Sequence, residues 1–166
     1  MESKLLKSSL VNKLKIEKVR KKDFEKLIKV YEEAYRDLKD YAEEGYENIL
    51  KYLNWLYKQD KEGFFVAKLN DEIIGFICAD KNWTKDRGEI HEFVVSPKYQ
   101  GLGIGKKLFE TALNYLRKSG KKCVGLWVGE KNEKAKSFYK KYGFEYKGKI
   151  KIWEKYLKKF EEVDGE

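Results

Sequence analysis

Apolar positions along this chain change their spacing repeatedly, and each change marks a new segment. In "VNKLKIEKV", residues 11–19, they alternate weakly, as in a strand with one covered face. From Phe24 the spacing turns helical: Phe24, Leu27, Ile28, Tyr31, Ala34, Tyr35 and Leu38 share a face, with Asp23 placed as N-cap. Tyr46, Ile49, Leu50, Leu53, Leu56 and Tyr57 make a second helical stripe, closed by Gly63. "FFVAKL" (64–69) and "IIGFICADKNW" (73–83) read as an antiparallel hairpin turning at "NDE". "GEIHEFVVS" (88–96) is a further strand, stopped by Pro97. Ile104, Leu108, Ala112, Tyr115 and Leu116 mark a third helix, ended at Ser119 and Gly120. "KCVGLWV" (122–128) is a continuous apolar run, as in a strand covered on both faces. "NEKAKSFYKKYG" (132–143) is a short helix with Ala135, Phe138, Tyr139 and Tyr142 on one side. "FEYKGKIKIWEKYLKKF" (144–160) supplies one or two closing strands.

The order β-α-α-β-β-β-α-β-α-β(-β) predicts an α/β fold on a mixed, mostly antiparallel sheet. The segment from Glu89 to Val128 is its one parallel, right-handed crossover. On the strand from 88, alternation puts Glu89, His91, Phe93 and Val95 on one face and Glu92 and Val94 on the other.

At 166 residues the chain suits one domain, residues 1–166, with the ends 1–9 and 161–166 expected to lie outside its core. Apolar residues at 42 % and charged residues at 39 % describe a water-facing globular protein. The run "IIGFICA" (73–79) is too short to cross a bilayer, and the N-terminus lacks the apolar stretch of a secretion signal. A cytoplasmic protein without a membrane partner is expected. Cys78 and Cys123 lie in strand-like runs and are expected as free thiols. His91 is the single histidine, and no Cys/His grouping has metal-ligand spacing, so no metal is expected. The net charge of +9 attracts polyanions. The lysines are interspersed with glutamates, without a basic arm or a known binding motif. A phosphate-rich cofactor is therefore favoured over nucleic acid.

"SPKYQGLGIGKK", residues 96–107, sets glycines at 101, 103 and 105 between a strand and a helix. Glycines there carry an entropic cost that a plain turn does not require. A side-chain-poor loop at a helix start suits a phosphate, because free N–H groups converge there and the helix dipole favours negative charge. Lys106 and Lys107 oppose that dipole, a conflict that a bound anion relieves. A Walker A loop would need glycine where Gln100 stands and Ser or Thr where Lys107 stands. A dinucleotide fingerprint from Gly101 would need glycine where Lys106 stands. The pattern Gln/Arg-x-x-Gly-x-Gly/Ala is met by Gln100, Gly103 and Gly105.

With its flanks, "EFVVSPKYQGLGIGKKLFETAL" resembles the core motif of the GNAT superfamily of acetyl-CoA-dependent N-acetyltransferases. Downstream, "NEKAKSFYKKYGF" resembles that family's second motif. The resemblance implies a three-layer fold with helices on both sheet faces. It implies acetyl-CoA as co-substrate, with the amides around Gln100, Gly101, Leu102, Gly103, Ile104, Gly105 and Lys106 on its pyrophosphate. Main-chain groups of Phe93, Val94 and Val95 would meet the acetyl carbonyl and the pantetheine arm. Asn132 would cap the short helix, bond the pantetheine, or both. Tyr139 would be the general acid for the departing thiolate, or simply a core tyrosine.

The implied reaction is direct attack by a primary amine in a ternary complex, the acceptor being a small amine, a polyamine, a protein N-terminus or a lysine. A non-catalytic CoA-binding sensor is the alternative. A second copy of the chain is admitted as a homodimer partner. An amine with a pKa of ~8 to ~10.4 arrives protonated, so the reaction needs a base. Glu89 is preferred for that role, with His91, Glu92 or a water chain as alternatives. The first two helices and their connector would wall the acceptor groove. There Tyr31, Tyr35 and Trp55 read as core, while Glu43, Glu44 and Glu47 either attract a cationic amine or form a solvated face.

Overall fold

Among residues 9, 10 and 12–162, which the computed structural model describes, seven strands form one sheet between two layers of helices. Most of the expected end segments lies outside these residues. The elements are β1 (Leu14–Lys18), α1 (Phe24–Ala34), α2 (Tyr46–Gln59), β2 (Phe64–Leu69), β3 (Glu72–Asp80), β4 (Arg87–Val95), α3 (Ile104–Lys118), β5 (Cys123–Gly129), α4 (Glu133–Lys141), β6 (Glu145–Ile150) and β7 (Trp153–Lys159). Their spatial order is β1-β2-β3-β4-β5-β7-β6, and β4–β5 is the parallel pair in an otherwise antiparallel sheet.

Each sheet face has its own core. On one side Leu27, Tyr31, Leu53 and Leu56 from α1 and α2 pack on Phe64 and Phe76. On the other, Leu108, Phe109, Leu113 and Leu116 of α3 pack on Ile77 and Val124, joined by Tyr139 of α4. The hub of that second core is Phe109, whose ring meets those of Phe93, Phe138, Tyr139, Tyr142 and Phe144 at 4.8–5.7 Å between centroids. Truncating such a buried ring costs about 3–5 kcal/mol, so α3, α4 and β4 are tied together at this point.

Local chemistry moves two boundaries from those the pattern predicts and leaves a third in place. Asp23 stands at the N-cap of α1 as expected, but its side chain caps no amide of that helix; its carboxylate accepts the Arg20 amide at 2.9 Å, closing a short 3-10 turn. α2 stops at Gln59, before Gly63, because Asp60 is extended and its side chain accepts the Glu62 amide. β3 stops at Asp80 rather than running to Trp83, since the Asp80 side chain draws the Asn82 amide back into a turn at 2.7 Å.

The expected alternation along β4 is also corrected. Opposite β3, Glu92 faces Cys78 while Ile90 faces Ala79, leaving His91 as an extra residue in a β-bulge. One extra residue inverts the facing of everything after it. Phe93 and Val95 therefore join Ile90 in the α3–α4 core, while Glu92 and Val94 face α1 and α2 with His91.

Just past this bulge the sheet opens. The β4–β5 ladder runs from Arg87↔Cys123 to Ile90↔Leu126 and goes no further. Beyond it, β4 stays with β3 as far as Val95, and β5 stays with β7 as far as Gly129.

Candidate active site

The parting of β4 and β5 creates a cavity of about 1050 Å³. Its floor is Ile90–Val95 of β4 with Leu126–Gly129 of β5. Asn132, Ala135, Phe138 and Tyr139 of the α4 segment wall one side, next to Gln100 and Gly105. Tyr31 and Tyr35 of the α1 end, Tyr41 and Glu43 of the connector, and Tyr52 of α2 wall the other. Ile150 and Trp153 from the β6–β7 turn complete the lining.

The glycine loop is built as its composition suggests. Gly101 and Gly103 have φ of 80° and 81°, and a Cβ on either would meet nothing within 4 Å. Backbone conformation, not crowding, calls for glycine at these two positions. Gly105 differs: a Cβ there would lie 3.3 Å from the Phe93 ring, so its absence seats the helix start on β4. Among the described residues, no hydrogen bond outside regular elements is donated by an amide from Gly101 to Lys106. The amide of Lys107 is the first one satisfied, by the Gly103 carbonyl at 3.2 Å. Gln100 accepts a hydrogen bond from the Lys134 ammonium. Gly101, Leu102, Gly103, Ile104 and Lys106 do not line the cavity themselves.

Asn132 caps α4 by accepting the Ala135 amide at 3.3 Å and also lines the cavity. Tyr139 is 7 % exposed, with its ring in the Phe109 cluster. Burial, and then the nearby Glu92 charge, raise its hydroxyl pKa, so it remains a proton donor.

The three candidate bases occupy different surroundings. Glu89 is 2 % exposed, sits in the closed part of the β4–β5 pair opposite Gly125, and does not line the cavity. Its nearest cation is Arg87, 3.6 Å away. His91 lines the cavity, but its Nε2 lies 2.8 Å from the buried Asp80 carboxylate, and its ring packs against Trp55 and Trp83. Glu92 lines the cavity and is buried. Its Oε1 accepts from the Tyr35 hydroxyl and its Oε2 from the Tyr52 hydroxyl at 2.7 Å. Burial raises the Glu92 carboxyl above the usual range, with the two tyrosine hydrogen bonds partly opposing.

Of the aromatics that spacing reads as core, Tyr31 is buried there and Tyr35 packs against it, whereas Trp55 is 42 % exposed. Tyr31 and Tyr35 reach the cavity, and the Tyr31 hydroxyl accepts the Glu43 amide at 2.9 Å, fastening the connector over it. Glu43 lines the cavity, while Glu44, Glu47 and Trp55 do not. Helical periodicity reports the inward face of α1 and α2 without distinguishing core from cavity. Alternation already sets Glu92 opposite Phe93 and Val95; what it misses is that His91 shares the Glu92 face, because the bulge depends on pairing with β3.

Comparison with known proteins agrees with this geometry. Residues 24–144 match the model of the acetyltransferase (GNAT) family. Over 131 residues the chain is 40 % identical to an uncharacterized N-acetyltransferase of Archaeoglobus fulgidus, spanning 76 % of this chain and 89 % of that one. A crystallised Pyrococcus horikoshii protein superposes with a TM-score of 0.81 at 44 % identity, over 89 % of this chain and 99 % of that one. A PaiA N-acetyltransferase of Thermoplasma acidophilum, crystallised with coenzyme A, shares the fold with a TM-score of 0.70 at 24 % identity, over 89 % of this chain and 99 % of that one. The chain belongs to the GNAT family of acetyltransferases.

Proposed function

We propose that this acetyltransferase moves the acetyl group of acetyl-CoA to a primary amine, with both substrates in the cavity at once. One observation carries the reading: a single cavity is lined together by Gln100 and Gly105 of the glycine loop, Phe93–Val95 of β4, Tyr139 and Glu92. The unpartnered amides from Gly101 to Lys106 fit a diphosphate, and Lys134 beside Gln100 adds countercharge. The coenzyme A complex of the Thermoplasma acidophilum relative supports the same choice of donor.

Acetyl-CoA supplies the activated thioester. The acceptor enters as an ammonium ion, and Glu92 takes its proton, at a carboxyl whose burial moves it toward neutral pH. The freed nitrogen bonds to the acetyl carbon, and a main-chain amide in Phe93–Val95 meets the charge developing on the carbonyl oxygen. As the carbon–sulfur bond breaks, Tyr139 gives its proton to the departing sulfur and is refilled, through water, by the second proton that the nitrogen sheds on becoming an amide, while Glu92 returns its own to solvent when product leaves. Positioning within one cavity supplies much of the rest, since well-oriented reactants gain up to about 7–11 kcal/mol. Glu89 is left out of this scheme because it does not reach the cavity.

The test combines acetyl-CoA with small amines, polyamines, basic peptides and peptide N-termini, following thiol release and product mass. Thiol release matched by an acetylated amine is expected. No product from any acceptor class, with no thermal stabilisation by acetyl-CoA, would overturn the reading.

A further inference from the structure

We propose that Asp80 and His91 form a clamp that holds the β4 bulge and so aims Glu92 into the cavity. The inference rests on Glu92 being the base, as proposed above. Asp80 is 1 % exposed and ends β3 directly opposite Glu89. Its two carboxylate oxygens are divided between tasks: Oδ1 takes the Asn82 amide at 2.7 Å, and Oδ2 meets His91 Nε2 at 2.8 Å. The carboxylate thus joins the end of one strand to the extra residue of the next.

That extra residue decides what the cavity contains. Without it, plain alternation would turn Glu92 toward the α3–α4 core and bring Phe93 under the tyrosines. A bulged residue is unpaired in its ladder and needs other fixing. His91 has it on several sides: Asp80 at Nε2, the Trp55 and Trp83 rings at 4.9 and 5.1 Å, and the Tyr52 hydroxyl 3.3 Å from its carbonyl. The same Tyr52 hydroxyl reaches Glu92 Oε2, so bulge and base share a contact. His91 and Asp80 are therefore positioning residues that act through Glu92.

Two substitutions separate the clamp from simple ring packing. His91→Phe keeps a ring between Trp55 and Trp83 and deletes the bond to Asp80. His91→Gln keeps an N–H donor and deletes the ring. The clamp predicts that His91→Phe lowers kcat about 100-fold, the scale of loss for a misplaced catalytic group, while the Kd for acetyl-CoA changes less than about twofold. His91→Gln should regain at least about tenfold of that loss. The reverse ranking, with Phe active and Gln slow, overturns the clamp. If His91→Phe does not fold, His91→Gln decides alone, and a full 100-fold loss in it overturns the proposal.

A double-mutant cycle with Glu92→Gln supplies the reading that a merely structural role would not move. In the Glu92→Gln background, His91→Phe should slow the reaction by less than about twofold further. A full additional loss shows His91 acting independently and sinks the proposal. An unchanged rate in Glu92→Gln alone removes the base assignment and the clamp with it. A slow Glu92→Gln beside a normal His91→Phe removes the clamp only.

Discussion

The main-chain amide of Lys131 donates a 2.9 Å hydrogen bond to the hydroxyl of Tyr41, 90 residues earlier in the chain. The bond links the α1–α2 connector to the β5–α4 loop across the cavity. The Tyr41 ring lies so close to Gly129 that a Cβ there would come within 2.4 Å of it, and it also packs on Trp153 at 5.3 Å. Gly129→Ala therefore has to displace the roof. Steady-state kinetics should show the acceptor KM rising by about tenfold or more, with calorimetric acetyl-CoA affinity changed far less.

Glu92→Gln should move rate and stability in opposite directions. Loss of a general base lowers turnover by about 10²–10⁴-fold. Burial raises the Glu92 carboxyl, so the folded state holds that proton more tightly than the unfolded chain does. The stability from this group is thus complete below the ordinary carboxylate range and is lost as pH rises through the raised value. Glutamine avoids the burial of charge, and its melting temperature at pH 7 should exceed the wild type's by about 2–4 °C for each kcal/mol relieved. At pH 3.5 the difference should shrink. A variant melting below the wild type at pH 7 would contradict this.

Turnover in the wild type should also climb through an apparent pKa above the usual carboxylate range. The acid limb of kcat/KM reports the base in the free enzyme. Glu92 protonated below that value cannot accept the ammonium proton, so activity falls toward acid pH. In Glu92→Gln that limb should disappear along with most of the rate.

Tyr139→Phe tests the leaving-group role. A thiol with a pKa of ~8.5 departs with only modest help, so kcat should fall about tenfold rather than collapse. Because the ring stays in the Phe109 cluster, calorimetry should find acetyl-CoA affinity nearly unchanged. A wild-type rate would remove Tyr139 from the reaction.

Gly103 has a built-in control in Gly120. Both have φ near 80°, and a Cβ on either meets open space. Alanine at either position should lower the melting temperature by a similar amount, since the left-handed region costs an L-residue about 1–2 kcal/mol. Only Gly103→Ala should also weaken the thermal shift given by acetyl-CoA. Equal shifts in both variants would separate the loop from the diphosphate.

How much of this was legible in the chain differs by element. The parallel crossover, the three loop glycines and Asn132 as a cap follow from local chemistry, and each stands where spacing put it. The facing of Glu89 and His91 does not, because an inserted residue is defined only against a partner strand, and β3 carries the other half of that register. Tyr31 and Tyr35 do pack in or on the core, yet both also line the cavity, which spacing does not show. A residue facing a cavity and one facing a core share the same helical period, and only the parting of β4 and β5 tells them apart. Glu89 is favoured by the family resemblance, but it is still paired with Gly125, and whether a strand is zipped at a given residue is a property of two segments.

Where β4 and β5 separate after Ile90, peptide groups that would have continued the ladder are left facing a gap instead of a neighbour. This is an edge inside the sheet, walled by the connector and by α4. Its exposed main-chain donors and acceptors line the cavity floor from both strands.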